Sequence, residues 1–151
     1  GIKIKRTFEK NLPLVKGNAS ILHQVFMNIV ANAVDAMERG GTLTVITRYI
    51  PVLHRAVIEI QDTGIGIPEE LLGDVFDPFF TTKLSGEGTG LGLAISYSMV
   101  RKMGGNIRVT STFLKEGRND SQPTGTTFSI ELPALDQDGH DTEEERTVST
   151  Q

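Results

Sequence analysis

Apolar and polar positions alternate from Ile2 to Phe8, with Ile2, Ile4 and Phe8 on one side and Lys3, Lys5 and Thr7 on the other. That period of two predicts a half-buried edge strand. Pro13 breaks the pattern, and Asn18-Ala19-Ser20 then offers capping side chains for a helix over 20–37 that Gly40-Gly41 stops. On a wheel of about 100° per residue, Leu22, Phe26, Ile29, Val30, Ala33 and Met37 form an apolar stripe. Gln24, Asn28, Asn32 and Asp35 gather within about 80° on the opposite side. Strand-like runs follow at 42–49 and 56–61, separated by a connection containing Pro51. Pro68-Glu69-Glu70 predicts the first turn of a short helix, with proline at N1 and acids against the dipole. A further helix over 92–103 closes at Gly104-Gly105. The runs 106–113 and 126–132 form a last antiparallel pair around a polar loop at 116–124, expected to be mobile. These elements predict an α+β two-layer sandwich: a mixed, mostly antiparallel sheet with about three helices on one face.

A chain of 151 residues, 38% of them apolar, suits one domain with one core. No apolar run is long enough to span a bilayer, and no secretory leader pattern opens the chain. The absence of cysteine excludes disulfides and cysteine-bound zinc. The net charge of −4 is concentrated at one end, where Asp136, Asp138, Asp141, Glu143, Glu144 and Glu145 meet only Arg146. The expected division is a folded domain over 1–133 and an acidic, disordered tail over 134–151. The rest of the chain is close to neutral and has no basic stripe, so nucleic acid is not an expected partner.

Three segments carry chemistry. The polar stripe of the first helix offers amide and carboxylate oxygens, which suit magnesium: it takes one or two protein oxygens, keeps waters and bridges to phosphates. Asp62-Thr63-Gly64-Ile65-Gly66-Ile67 leaves a strand, placing a carboxylate where it can accept from an exocyclic amine such as adenine N6. Gly86, Gly88, Gly90 and Gly92 recur at every second position, and backbone amides in such a loop can cradle phosphates ahead of the helix that follows. No Gly-Lys-Ser/Thr follows those glycines and no βαβ unit surrounds them, which excludes a Walker A loop and a Rossmann fingerprint.

Taken together, Asn28-x-x-x-Asn32, Asp62-x-Gly64-x-Gly66, Gly88-Thr89-Gly90-Leu91-Gly92 and Gly125-Thr126-Thr127-Phe128 resemble the ATP-binding catalytic domain of bacterial sensor histidine kinases. That group belongs with gyrase B, the heat-shock 90 chaperones and the MutL proteins in the ATPases of Bergerat-type fold. Phe76-Asp77-Pro78-Phe79-Phe80-Thr81-Thr82-Lys83 is similar to the F box of the nitrogen-regulation type. The resemblance covers about 2–133 and implies ATP and magnesium as cofactors. It assigns Asn32 to the metal, with Asn28 as a further candidate. For the nucleotide it implies Asn28, Asn32, Asp35, Asp62, Gly64, Gly66, Ile67, Phe79, Lys83, Gly88, Thr89, Gly90, Leu91, Gly92 and Thr126. Lys83 is the candidate cation on the γ-phosphate, Thr126 supports the adenine edge through water, and Phe79 with Phe80 is expected to pack the base of the glycine-rich loop, the lid over the phosphates, onto the core. Gyrase B and MutL types carry glutamate at the position of Asn28; asparagine cannot accept a proton from water near neutral pH, so slow hydrolysis is expected.

The resemblance further implies a protein histidine kinase in the longer parent, acting in the cytoplasm. Its γ-phosphoryl would pass to a histidine on a dimerisation domain of that parent, and a response regulator would lie downstream. His23, His54 and His140 all lack the setting of a phosphoacceptor, so no catalytic side chain is assigned to this chain and autophosphorylation is not expected. Two alternatives stand beside this reading: a free-standing anti-sigma-factor serine kinase, and a nucleotide-gated scaffold that transfers nothing.

Overall fold

The computed structural model describes residues 1–81, 91–113, 115 and 121–136. Five strands, β1 (Ile2–Phe8), β2 (Gly41–Ile50), β3 (Arg55–Asp62), β4 (Asn106–Thr112) and β5 (Gly125–Pro133), form one sheet in the order β1-β2-β3-β5-β4. β1 runs parallel to β2 and every other pairing is antiparallel, so the expected mixed, mostly antiparallel sheet is present. Helices α1 (Ala19–Ala36) and α2 (Gly92–Lys102) pack side by side on one face. The third expected helix is a 3-10 helix, Glu69–Asp74. Pro68 caps it rather than occupying its first turn, with ψ of 139° that no helical residue adopts.

α1 starts where its capping chemistry is. Asn18 has extended backbone angles, and its side-chain oxygen accepts from Ser20 N at 2.9 Å and Ile21 N at 3.2 Å. These satisfy two of the amides that a helix N-terminus leaves unpaired. The buried ridge of α1 is Val25, Ile29, Ala33 and Met37, a strict four-residue spacing that seats one helix row on the sheet. Val25, fully buried, was outside the expected stripe, whereas Phe26 and Val30 only flank the core.

Cross-strand registers explain the remainder of the core. On the helix side, Val45, Ile60, Phe128 and Val109 form one row, and Ile58, Ile130 and Ile107 form the next. β1 departs from expectation: only Ile2 packs against the core, while Ile4 and Phe8 are 60% and 58% exposed. They lie on the helix-side face, but β1 is the outermost strand and the two helices pack mainly over β3 and β4, further across the sheet. At the other end of the chain, the body continues past Pro133. Ala134 is buried, bridges Val15, and donates to the His54 carbonyl at 3.0 Å. Residues 137–151 and 116–120 lie outside the described residues, as do the expectations of disorder and mobility placed on them.

Candidate functional site

At one end of the helix-side face the apolar rows give way to polar residues. Leu43 on β2 pairs with Asp62 on β3, and Thr126 on β5 pairs with Ser111 on β4. The two pairs are joined by the Thr126 amide, which donates to Asp62 Oδ1 at 3.2 Å. The Gly64 amide donates to the same oxygen at 2.9 Å. Asp62 is 8% exposed, and burial pushes its carboxyl above the ordinary aspartate range while the two backbone hydrogen bonds pull the other way. Both amides are on Oδ1, and among the described residues no hydrogen-bond partner of Oδ2 is found.

The loop after Asp62 is seated by close approach. A side chain at Gly64 would collide with the backbone of Ala36 in the last turn of α1, whose carbonyl accepts from Ile65 N at 3.1 Å. Gly66, at φ +79°, lies against the Thr112 carbonyl of β4. Both glycines therefore have structural reasons to lack a Cβ, independent of any ring bound nearby. Thr124 Oγ1 donates to the Gly64 carbonyl at 2.6 Å, and the Ile67 amide donates to Ser111 Oγ at 2.8 Å.

The same construction brings α1 and α2 to the site. The Asp62 loop abuts Ala36, one turn from half-buried Asn32. Asn28 Nδ2 donates to the Gly92 carbonyl at 3.3 Å and to the fully buried Ser96 Oγ at 3.1 Å, tying α1 to the first turn of α2. Those two bonds fix the amide so that Oδ1 remains an acceptor. Leu91 and Gly92 are half-buried at the start of α2, and Asp35 lies exposed near the end of α1.

Asp62, Gly64, Gly66, Ile67 and Thr126 thus come together at the end of β3 beside the last turn of α1, Asn28 meets Gly92 just after Leu91 at the start of α2, and Asn32 lies between these two groups along α1. Lys83, Gly88, Thr89 and Gly90 lie outside the described residues. Phe79 is a correction. It is 73% exposed, with φ of +67°, and does not pack onto the core. Phe76 takes that place, its ring 5.1 Å from Tyr97 on α2 and edge-on to Phe128 on β5. Among the described residues no cluster of His, Cys, Asp or Glu could hold a metal. The Asn28 and Asn32 amides offer hard oxygens, a donor set that fits magnesium carried with a nucleotide.

Ser96 and Ser111 escaped the sequence reading. Each had a signal: Ser96 shares a helix face with Leu93 and Val100, and Ser111 follows Ile107 and Val109 on the apolar face of β4. A hydroxyl at a core-facing position calls for a partner.

Among curated proteins, the chain is 40% identical to the sensor kinase CckA of Brucella abortus, over 89% of this chain and 15% of that protein. It is 35% identical to the sensory histidine kinase/phosphatase NtrB of Azospirillum brasilense, over 90% of this chain and 34% of that protein. The chain therefore spans a minor part of each. Among solved structures, the mycobacterial sensor histidine kinase MprB superposes with a TM-score of 0.73 at 33% identity, over 88% of this chain and 84% of that one. The catalytic domain of histidine kinase ThkA superposes with a TM-score of 0.70 at 28% identity, over 88% and 79%. The family described as histidine kinase-, DNA gyrase B- and HSP90-like ATPases matches residues 17–136, and the chain belongs to that family.

Proposed function

We propose that this chain binds ATP with magnesium and serves as the phosphoryl-donating half of a sensor histidine kinase, the acceptor histidine standing on a dimerisation domain of the same parent. The observation that carries this reading is Asp62, a buried carboxylate with one oxygen held by two backbone amides and the other without a partner among the described residues. A fixed acceptor at the end of an apolar face suits the exocyclic amine of adenine. Asn32, with Asn28 as a second oxygen, would hold the magnesium, which supplies charge neutralisation on the phosphates. The hydrogen bonds of Asn28 to Gly92 and Ser96 keep the start of α2 against that metal-binding face. Amides at that helix start would take part in holding the phosphates. Neither Asn28 nor Asn32 can take a proton from water, so the bound γ-phosphate is held for a better nucleophile. The response regulator downstream, the cytoplasmic setting and the nitrogen-regulation character of the F box belong to this same proposal.

Titration calorimetry with Asp62→Asn tests it. The amide keeps an oxygen for Gly64 and Thr126 but turns a hydrogen-bond donor toward the adenine amine. ATP affinity should fall by about 2 kcal/mol or more, the scale of a hydrogen bond to a charged group. Unchanged affinity would remove Asp62 from the pocket and the adenine reading with it.

A further inference from the structure

Ser111 Oγ takes part in three hydrogen bonds: with Ile67 N at 2.8 Å, with the Gly125 carbonyl at 2.9 Å and with Thr126 Oγ1 at 2.8 Å. A serine hydroxyl has one proton to donate and two lone pairs to accept with. The Ile67 amide can only donate, and the Gly125 carbonyl can only accept. The Ser111 proton therefore goes to Gly125, and the remaining lone pair of Ser111 must accept from Thr126. The single proton of Thr126 is thereby committed inward. What Thr126 presents to the rest of the site is acceptor capacity alone, and Asp62 Oδ2 beside it is an acceptor as well. The backbone link from Thr126 N to Asp62 Oδ1 fixes these two residues relative to each other.

We infer that Ser111 is a specificity-determining residue that acts through Thr126, setting the base edge of the pocket to accept only, so that a 6-amino purine is taken and a 6-oxo purine refused. This rests on the adenine reading of Asp62 proposed above. An exocyclic amine has two N–H groups to satisfy such an edge, directly or across a water. A carbonyl at the same place meets lone pairs on both sides, and buried acceptors facing each other without a proton cost more than a missing bond gains. Without Ser111, the Thr126 hydroxyl is free to turn and donate, and the edge becomes tolerant of either purine. Ser111 touches no base in this account. It is a positioning residue, and its signature is discrimination rather than affinity alone.

Calorimetry with ATP and with inosine triphosphate, its 6-oxo counterpart, reads that signature on the full chain. The unmodified protein should prefer ATP by at least roughly tenfold, and Ser111→Ala should shrink the preference by roughly fivefold or more, one hydrogen bond's worth. Ser111→Thr, which keeps the hydroxyl, should restore it. A folded Ser111→Ala protein, judged by circular dichroism, that keeps the full preference or weakens toward both nucleotides equally would overturn the proposal. If Ser111→Ala does not fold, Thr126→Val decides: loss of the preference supports the chain of hydroxyls, and retention overturns it. An unmodified protein with no preference at all would overturn the adenine reading of Asp62 together with this inference, an outcome distinct from the preceding ones.

Discussion

At the scale of single residues, the site is held at a cost to the fold. Asp62 is buried with a carboxyl shifted above its ordinary range, so the folded state holds a proton that the unfolded chain releases first. Between the ordinary aspartate value of about 4 and the raised folded value, the folded state binds more protons, and stability falls as pH rises through that window. Asp62→Asn should therefore melt at a higher temperature than the unmodified protein at neutral pH, with the difference shrinking below about pH 4. Equal melting temperatures at both pH values would mean that the carboxylate is not strained by its burial. Asn32 makes the complementary case. Its side chain is half-buried on the polar face of α1 and no hydrogen bond of it is found among the described residues. Asn32→Ala should abolish magnesium-dependent nucleotide binding with little change in thermal stability, and an unfolded variant would instead give that position a structural role.

Elements show where burial does its work and where it stops. Ile29, fully buried on the α1 ridge, is enclosed by sheet and helix. Ile29→Ala should cost about 2–5 kcal/mol in denaturant unfolding. Ile4→Thr, on the uncovered edge strand, should stay within about 0.5 kcal/mol. Comparable losses at both positions would place cover over β1 that the fold does not provide. Periodicity made the strands, both α-helices and the Asn18 cap legible, because those features depend on local chemistry and on which face is apolar. It did not show which apolar residues lie under cover. β1 alternates as well as any inner strand, and its exposure follows from its place in the sheet order, which is set by distant partners. The same holds for Phe79: two adjacent aromatics read as core, but a left-handed backbone turns Phe79 outward and leaves Phe76 to fill the space.

For the molecule as a whole, the site was legible where motif residues act through their own side chains. Asp62 and Thr126 meet through a backbone hydrogen bond, and Asn28 meets the start of α2. The supporting hydroxyls Ser96 and Ser111 did not stand out, because their partners lie on other elements: Asn28 on α1, Ile67 on the Asp62 loop, and Thr126 across the strand pair. The chain spans 15% of one curated relative and 34% of another. Among the described histidines, His23 is solvent-facing on α1, while His54 is engaged by Tyr49 at 2.9 Å and lies beside Asp136.

Radiolabelled ATP with magnesium, given first to this chain alone and then with the parent's dimerisation domain added in trans, separates a phosphoryl donor from an ATPase and from a serine kinase. The expected result is nucleotide binding with slow turnover and no label on the chain alone, then acid-labile label on the added domain, the stability of a phosphohistidine. Rapid hydrolysis or label on the chain alone would contradict it, as would acid-stable label on a serine of another protein.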